Sequence, residues 1–486
     1  MSTVRTAPDS GRTFFGHPRM LANLFSVELW ERFSFYGMQA LLLYYMTYSV
    51  TEGGLGFDEG VAAGLVGAYG GGVYLSTILG AWLADRVLGS ERVLFASAAI
   101  IMLGHIALAL LPGAAGLAAG LVLVGLGSGG LKANASSLVG TLYAPGDDRR
   151  DAGFSIFYMG INIGALVGPL LTSLAWDRFG FHVGFGLAAV GMAAGLVQYA
   201  ATRKNLPPEA HAVENPLPRA QYARRGGIAA VVVVLVGAAL ATGLLTAQNL
   251  ASVMAYTAIA ATIAYFAVIL SSRKVSAAER RRVYSFMPLF VASAAFWSLF
   301  QQQFTVVALY SESRLDRTVF GWEMPPSMVQ SINPIFIIVF AGVFAALWTR
   351  LGSRQPSSPL KFSFGLAVMG LAFLAFIPFA GGGPNSTPLV ALAGILLLFT
   401  WAELFISPIG LSVTTKLAPE AFRTQMLALF FLSISLGTTV SGLLAGFYSE
   451  ETEVPYFAFS GITAVVLGVA LAAATPAIRK GMSGVR

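Results

Sequence analysis

Long apolar stretches fill most of this chain, each about 20 residues or more, the length that crosses a hydrocarbon core of roughly 30 Å. The pattern predicts spans near residues 20–46, 60–84, 92–112, 114–141, 151–175 and 180–202. A polar segment, Arg203 to Arg225, follows with Pro207, Pro208, Pro216 and Pro218, the makeup of a linker. Two spans near 226–247 and 250–272 come next and hold almost no polar residue beyond Gln248, Asn249 and small hydroxyls, as expected of lipid-facing accessories. A second set of six runs near 284–312, 325–350, 358–380, 386–416, 420–449 and 453–475. Alternation of period two is absent, so helices rather than a barrel satisfy the backbone in lipid.

The expected organisation is therefore an all-α membrane protein of fourteen helices. It comprises an N-terminal segment (1–19), a six-helix bundle (20–202), a linker with two extra helices (203–283), a second six-helix bundle (284–476) and a tail (477–486). Loop charges fit this count. Arg86, Arg92, Arg149, Arg150, Arg219 to Arg225, Arg280 to Arg282, Arg350, Arg354, Lys416, Arg423, Arg479 and Lys480 fall on one side. Glu52, Asp58, Glu59, Glu450, Glu451 and Glu453 fall on the other, with Arg178, Arg314 and Arg317 as basic exceptions. The positive-inside rule then places both termini in the cytoplasm. Met1 to about Met20 carries Arg5, Arg12 and Arg19 and lacks a short apolar region with a small-residue cleavage site, so it reads as an uncleaved signal anchor.

Composition narrows the function. The chain is 56% hydrophobic and 11% charged, against about one quarter charged in soluble domains. Its net charge of +7 sits in short loops rather than on one basic face, so topology explains it better than nucleic-acid binding. There is no cysteine, and the four histidines are scattered without metal-ligand spacing. No nucleophile motif or phosphate loop points to an enzyme or a cofactor.

Against this apolar background, Glu28, Glu31 and Arg32 stand in the first span. At about 100° per residue, these three with Tyr36 and Gln39 fall within an arc of roughly 140°. A buried ion cluster can serve only to fix helix packing, but three charges in one span exceed what packing requires and mark a substrate or proton pathway. In the fourth span, Gly127-Ser-Gly-Gly-Leu-Lys132 sets a lysine among small residues that permit close helix approach, with no acid near it in sequence. Its partner must come from another helix, with Glu31 or Glu28 the natural candidate. Tyr158 and Asn162 share a face of the fifth span. The second half adds Gln330, Asn333 and Pro334, then Glu403, Ser407 and Pro408. Both prolines are expected to free backbone carbonyls and bend their helices. His105 reads as a neutral histidine bonded to a neighbouring helix.

Two six-helix halves are the layout of a major facilitator transporter, whose halves rock around a midplane site. Gly80-Ala-Trp-Leu-Ala-Asp85-Arg86-Val-Leu-Gly89-Ser-Glu-Arg92 resembles that superfamily's cytoplasmic-loop signature. There Asp85 can pair with a base, or cap a helix end, to latch the inner face. Further strings are similar to the proton-coupled oligopeptide transporter family: E-x-x-E-R-F-x-x-Y-G at Glu28 to Gly37, F-Y-x-x-I-N-x-G at Phe157 to Gly164, the lysine at Lys132, N-P at Asn333-Pro334 and E-L-x-x-S-P at Glu403 to Pro408. The similarity runs from about residue 20 to 475, and the two inserted helices also look like those of bacterial members.

The resemblance implies that Arg32 and Lys132 face a substrate carboxylate, that Asn162, Asn333 and Glu403 receive its amino terminus, and that Tyr36, Tyr74 and Tyr158 line the pocket. It implies import of di- and tripeptides with protons across a bacterial inner membrane, by a monomer that supplies both halves of its site. Peptide-transporting relatives usually carry an arginine where this chain has Gln39, a glutamate four residues after Trp297 where it has Gln301, and a tryptophan where it has Phe430. The two amides replace a cation and an anion together, leaving net charge unchanged. They keep open a second reading, a same-fold transporter of an anion, a modified amino acid or a small natural product. A channel is disfavoured by two halves with mixed internal charge.

Overall fold

A computed structural model describes residues 13–144 and 147–482. Most of the expected N-terminal anchor, with Arg5 and Arg12, and the end of the expected tail lie outside the described residues. Fifteen helices of eight or more residues carry the fold. They are α1 (Met20–Thr47), α2 (Glu59–Leu83), α3 (Ser90–Leu110), α4 (Gly113–Thr141), α5 (Arg150–Phe179), α6 (Phe181–Thr202), α7 (Tyr222–Ala241) and α8 (Leu250–Ser271). After these come α9 (Ala277–Phe300), α10 (Val306–Ser313), α11 (Ile332–Leu351), α12 (Ser358–Leu374), α13 (Leu389–Leu417), α14 (Arg423–Ala445) and α15 (Glu453–Gly481). Strand pairing among the described residues is limited to three two-residue ladders in connecting segments.

Among the described residues, thirteen helical stretches are long and apolar enough to cross a membrane, α9 and α10 forming one of them. The 28-residue α1 is not among them, because Glu28, Glu31, Arg32 and Gln39 depress its hydropathy. With α1 the spans number fourteen, and the chain is a multi-pass membrane protein.

The ninth span, expected near 284–312, is present over Ala277–Ser313 but is interrupted: α9 ends at Phe300, a 3-10 turn covers Gln301–Phe304, and Thr305 leaves helical geometry at φ −128°, ψ −87° before α10 begins. Neither proline nor glycine marks the break. Pro334 also differs from its expected role. It lies in the first turn of α11, just after a 3-10 stretch over Pro326–Ser331, where a missing N–H costs little. Pro408 does fall inside α13.

The chain divides into two compact units, one formed by the residues up to Leu41 with Ser76–Leu245, the other by Leu42–Leu75 with Thr246 onward. The division cuts α1 and α2, so neither unit is a single stretch of sequence. Small residues let helices approach within each. In the first unit, a Cβ on Gly104 of α3 would meet the Val124 nitrogen of α4 at 2.8 Å, and one on Gly80 of α2 would meet the Gly130 Cα of α4 at 2.5 Å. Gly160, Gly164 and Gly168 of α5 form a ridge at i, i+4, i+8 against Phe25, Leu29 to Phe33 and the Phe33 carbonyl of α1. Thr172 closes that seam by donating to the Gly37 carbonyl at 3.0 Å.

The second unit packs Gly67 of α2 on Gly442 of α14, so closely that a Cβ on Gly67 would meet the Gly442 Cα at 2.7 Å, and Ser435 donates to the Gly71 carbonyl at 2.8 Å. Its aromatic core gathers Tyr310, Phe373, Phe376 and Phe457, the last two rings stacked at 4.6 Å and 12°. No side chain of α7 is buried, which leaves its valine run (Val231 to Val234) to lipid.

The Gly164 seam yields a test. Gly164→Val sets a Cβ 2.8 Å from the Arg32 Cβ and 2.9 Å from the Phe33 nitrogen, overpacking worth about 1–3 kcal/mol. The melting midpoint of the detergent-solubilised protein should fall clearly, whereas Gly226→Val, with nothing within 4 Å, should leave it in place. Equal midpoints would contradict the close approach.

Candidate functional site

The first unit builds its polar centre on α1. Period 3.6 stacks Glu28 under Arg32, and Glu31 adjoins both. Arg32 donates from Nε and Nη2 to Glu28 Oε1 at 2.8 and 2.6 Å, and its Nε lies 3.4 Å from Glu31 Oε2. All three are nearly removed from solvent, with Glu28 1%, Glu31 0% and Arg32 8% exposed. One guanidinium thus serves two carboxylates.

Helix α4 completes the group. Ser128 donates to Glu31 Oε1 at 3.1 Å, and Lys132, one turn further, places Nζ 4.1 Å from the centre of the Phe35 ring on α1, within cation–π range. Two acids and two bases therefore share one neighbourhood with a formal charge of zero. The glycines around Lys132 explain how α4 comes so near. A Cβ on Gly129 would run into Ser76 and Thr77, and one on Gly127 would meet the Ser97 carbonyl at 2.7 Å. Gln39 is buried further along α1, and Tyr36 sets its ring edge-on to Phe35 at 5.4 Å.

Helix α5 contributes mainly backbone proximity. Gly160 and Gly164 belong to the ridge described above, and Asn162 donates to the Tyr158 carbonyl of its own helix at 2.9 Å. Tyr158 is exposed. His105 corrects its expected role: it is fully buried in α3, and neither ring nitrogen has a hydrogen-bond partner among the described residues.

In the second unit the centre is Glu403 on α13. Asn333, at the start of α11, donates to Thr400 Oγ1 at 3.0 Å, and its side chain also bonds the Glu403 carboxyl. Glu403 Oε2 has no hydrogen-bond partner, and no basic side chain pairs with Glu403 among the described residues. The residue is half-buried while Oε2 itself is buried, and a carboxylate oxygen without a cation or a donor is costly to ionise. Trp297 packs against Phe296 and Phe300 at 5.3 and 5.4 Å and leaves Nε1 without a partner. Gln301 donates to Thr438 Oγ1 at 3.3 Å, a bond an ionised glutamate could not donate. Phe430 fills the space over Gly410, where a Cβ would lie 2.7 Å from its ring. Tyr74 on α2 and Ser407 on α13 are half-buried, and both belong to this unit.

The Asp85-Arg86 motif forms a π-helical turn over Ala84–Leu88 that extends α2. Its partners come from the segment expected to be a plain linker. Asn215 donates from Nδ2 to Asp85 Oδ1 at 2.7 Å and from its backbone to the Asp85 carbonyl at 3.0 Å, and the Leu217 N–H reaches the Arg86 carbonyl at 2.8 Å. Arg203 pairs with the fully buried Glu91 at 2.6 Å and covers Phe95 at 3.9 Å, while His211 Nδ1 lies 3.4 Å from Glu91. Leu206, Ala210 and Leu217 are buried. Proline content suggested a loose connection here, and the alternating apolar residues between the prolines were the overlooked signal of docking. Ser128 and Thr400 were also missed, since a single hydroxyl in an apolar helix carries no pattern.

Comparison with known proteins places these residues in a lineage. A sequence model described as the POT family matches residues 91–465. The uncharacterized transporter YclF of Bacillus subtilis (strain 168) is 42% identical over 100% of this chain and 98% of its own. The di-/tripeptide transporter of Lactococcus lactis subsp. lactis (strain IL1403) is 39% identical over 98% of each. Among solved structures, a peptide transporter POT in complex with sulfate is 46% identical with a TM-score of 0.93, covering 97% of both chains. A POT family transporter in complex with 5-aminolevulinic acid is 37% identical with a TM-score of 0.90, over 96% of this chain and 98% of that one.

The shared guanidinium makes the α1 cluster asymmetric under mutation. Arg32→Gln takes away the guanidinium that both buried carboxylates contact and leaves them one cation, Lys132, between them, whereas Glu28→Gln leaves Glu31 with both cations, and breaking a buried pair costs about 3–5 kcal/mol. At neutral pH Arg32→Gln should lower the melting midpoint more than Glu28→Gln, and acidification, by protonating the stranded carboxylates, should narrow the gap. Equal losses at all pH values would contradict the arrangement.

Proposed function

Because this chain belongs to the POT family, a family of membrane transporters and not of enzymes, we propose that it imports di- and tripeptides by proton-driven symport. The observation that carries this reading is the balanced α1–α4 cluster, in which Arg32 is held by Glu28 at 2.6 Å and by Glu31 at 3.4 Å while Lys132 lies beside them. Protonating either acid leaves two cations against one carboxylate. The surplus positive charge, on Lys132 or Arg32, then accepts the carboxylate of a substrate. Glu403, lacking a basic partner among the described residues, accepts the substrate's ammonium, assisted by Asn333. A zwitterion satisfies both demands, so every liganded state avoids an unpaired buried charge.

The cycle follows from competition between two anions for one cation. From the acidic side, a proton enters at Glu31 or Glu28 and frees the cation for the substrate carboxylate. On the side of higher pH the proton leaves, the carboxylate reclaims its cation, and the substrate is displaced. Substrate and proton bias the same equilibrium, which is the thermodynamic content of coupling. Backbone termini rather than side chains are read, so broad selectivity among short peptides follows. Gln301 is not titratable, and in this reading the α1 cluster carries the coupling. Asp85 and Arg86 with Pro408 take gating roles, both termini are cytoplasmic, and the working unit is a monomer in the inner membrane of a bacterium.

One specific observation favours a second reading. Gln39 and Gln301 stand where peptide-transporting relatives usually carry a charged pair, and a relative is solved with 5-aminolevulinic acid, which also has a carboxylate and an amine. A small non-peptide amino acid presents the same two charged groups as a peptide.

Uptake of a labelled dipeptide into proteoliposomes, with an inward proton gradient and with or without a protonophore, separates the readings. Gradient-dependent accumulation is expected. If none occurs in folded protein while 5-aminolevulinic acid is accumulated, the second reading holds. Glu31→Gln should abolish accumulation and spare counterflow, and retained accumulation would remove Glu31 from the coupling step.

A further inference from the structure

The break between α9 and α10 lies deep in a membrane-length element, where released backbone groups have no water to turn to. The sequence across it, Gln301-Gln302-Gln303-Phe304-Thr305, contains none of the usual helix breakers. Three consecutive amides occupy the turn instead, and polar contacts run from it to three other helical segments. Gln301 donates to Thr438 of α14 at 3.3 Å. Gln302, fully buried, folds back to donate to the Ser298 carbonyl at 3.2 Å and accepts from Tyr456 of α15 at 2.8 Å. The Gln303 carbonyl accepts from the Gln330 amide at 2.5 Å, contributed by the 3-10 stretch before α11. The Ser298 carbonyl is the atom an α-helical Gln302 N–H would use, so the side chain takes over a bond the backbone gives up.

The turn changes direction as well as bonding. Four residues at three per turn advance about 80° more than the same residues in an α-helix. The faces of α9 and α10 are thereby offset. On the α9 side, Trp297 stays against Phe300 and Gln301 reaches Thr438. On the α10 side, Tyr310 turns to Thr387 at 2.6 Å and to the Phe376 ring at 5.1 Å, and the Ala308 carbonyl accepts from Tyr44 at 3.0 Å. A straight helix could not satisfy both sets of contacts.

We infer that Gln302 and Gln330 are positioning residues, an amide clasp that holds this proline-free break and so fixes where Trp297 and Gln301 point. What those two residues face rests on the transport reading, whereas the clasp itself does not. Neither amide titrates, so the clasp holds its geometry at every pH at which the α1 cluster changes charge.

Hydrogen–deuterium exchange on the full chain in nanodiscs tests the clasp without any substrate. Gln302→Leu and Gln330→Leu should each raise exchange of the amides over 301–313 by about tenfold or more, the loss of a buried hydrogen bond or two, with α12 and α15 unchanged. Tyr456→Phe, which removes only the hydroxyl, should give a smaller rise over the same residues. Unchanged exchange over 301–313 in all three variants would overturn the clasp, and so would a rise spread over the whole second unit with a lowered melting midpoint, because that signals general support of the fold. In uptake assays the Leu variants should raise KM several-fold for whichever solute the wild type carries, with kcat little affected. A wild type that carries no peptide would sink the peptide reading and leave the exchange result standing.

Discussion

A guanidinium buried between two carboxylates in the first span is the constraint around which the first unit is arranged. Three charges at membrane depth are tolerable only when each is compensated at close range and no water competes. That demand explains features that would otherwise look unrelated. The α5 ridge of Gly160, Gly164 and Gly168 brings backbone against α1 on either side of Arg32, and the glycines of α4 bring Ser128 and Lys132 against the same residues. Larger side chains at those positions would hold the helices apart and strand the charges. The conformational simplicity of glycine is here in the service of electrostatics.

The two units solve the problem of buried charge differently. In the first, acids and bases balance, and a proton changes the sum by one. In the second, Glu403 has only the Asn333 amide and no base among the described residues, so its ionised form awaits a cation. A balanced cluster can store or release a proton at modest cost, while an uncompensated acid can discriminate between a bound ammonium and an empty site.

Connecting segments are more constrained than their composition suggests. The segment from Arg203 to Leu217 is tied to the α2–α3 turn through Asn215, Leu217 and the Arg203–Glu91–His211 group. The ninth span is broken by amides rather than by proline. In the first place backbone N–H groups of the segment satisfy the carbonyls of the α2–α3 turn, and in the second amide side chains bond the carbonyls of a broken ladder, so each backbone group finds a partner.

Sequence by itself determined the class and the membrane-length spans, and it singled out the candidate site residues. Apolar stretches of membrane length have few structural outcomes, and a charge within one is visible precisely because its surroundings are apolar, so Glu28, Glu31, Arg32, Lys132 and Glu403 stood out. Tertiary structure decided the pairings. Periodicity placed Glu28, Glu31 and Arg32 on one face, but only packing brought Ser128 to Glu31, Thr400 to Asn333 and Asn215 to Asp85. It also decided that the ninth span would break, since the break is held by hydrogen bonds from Tyr456 and Gln330, residues distant in sequence. One-dimensional patterns record the cost of burying a group, and its compensation is settled only when the helices meet.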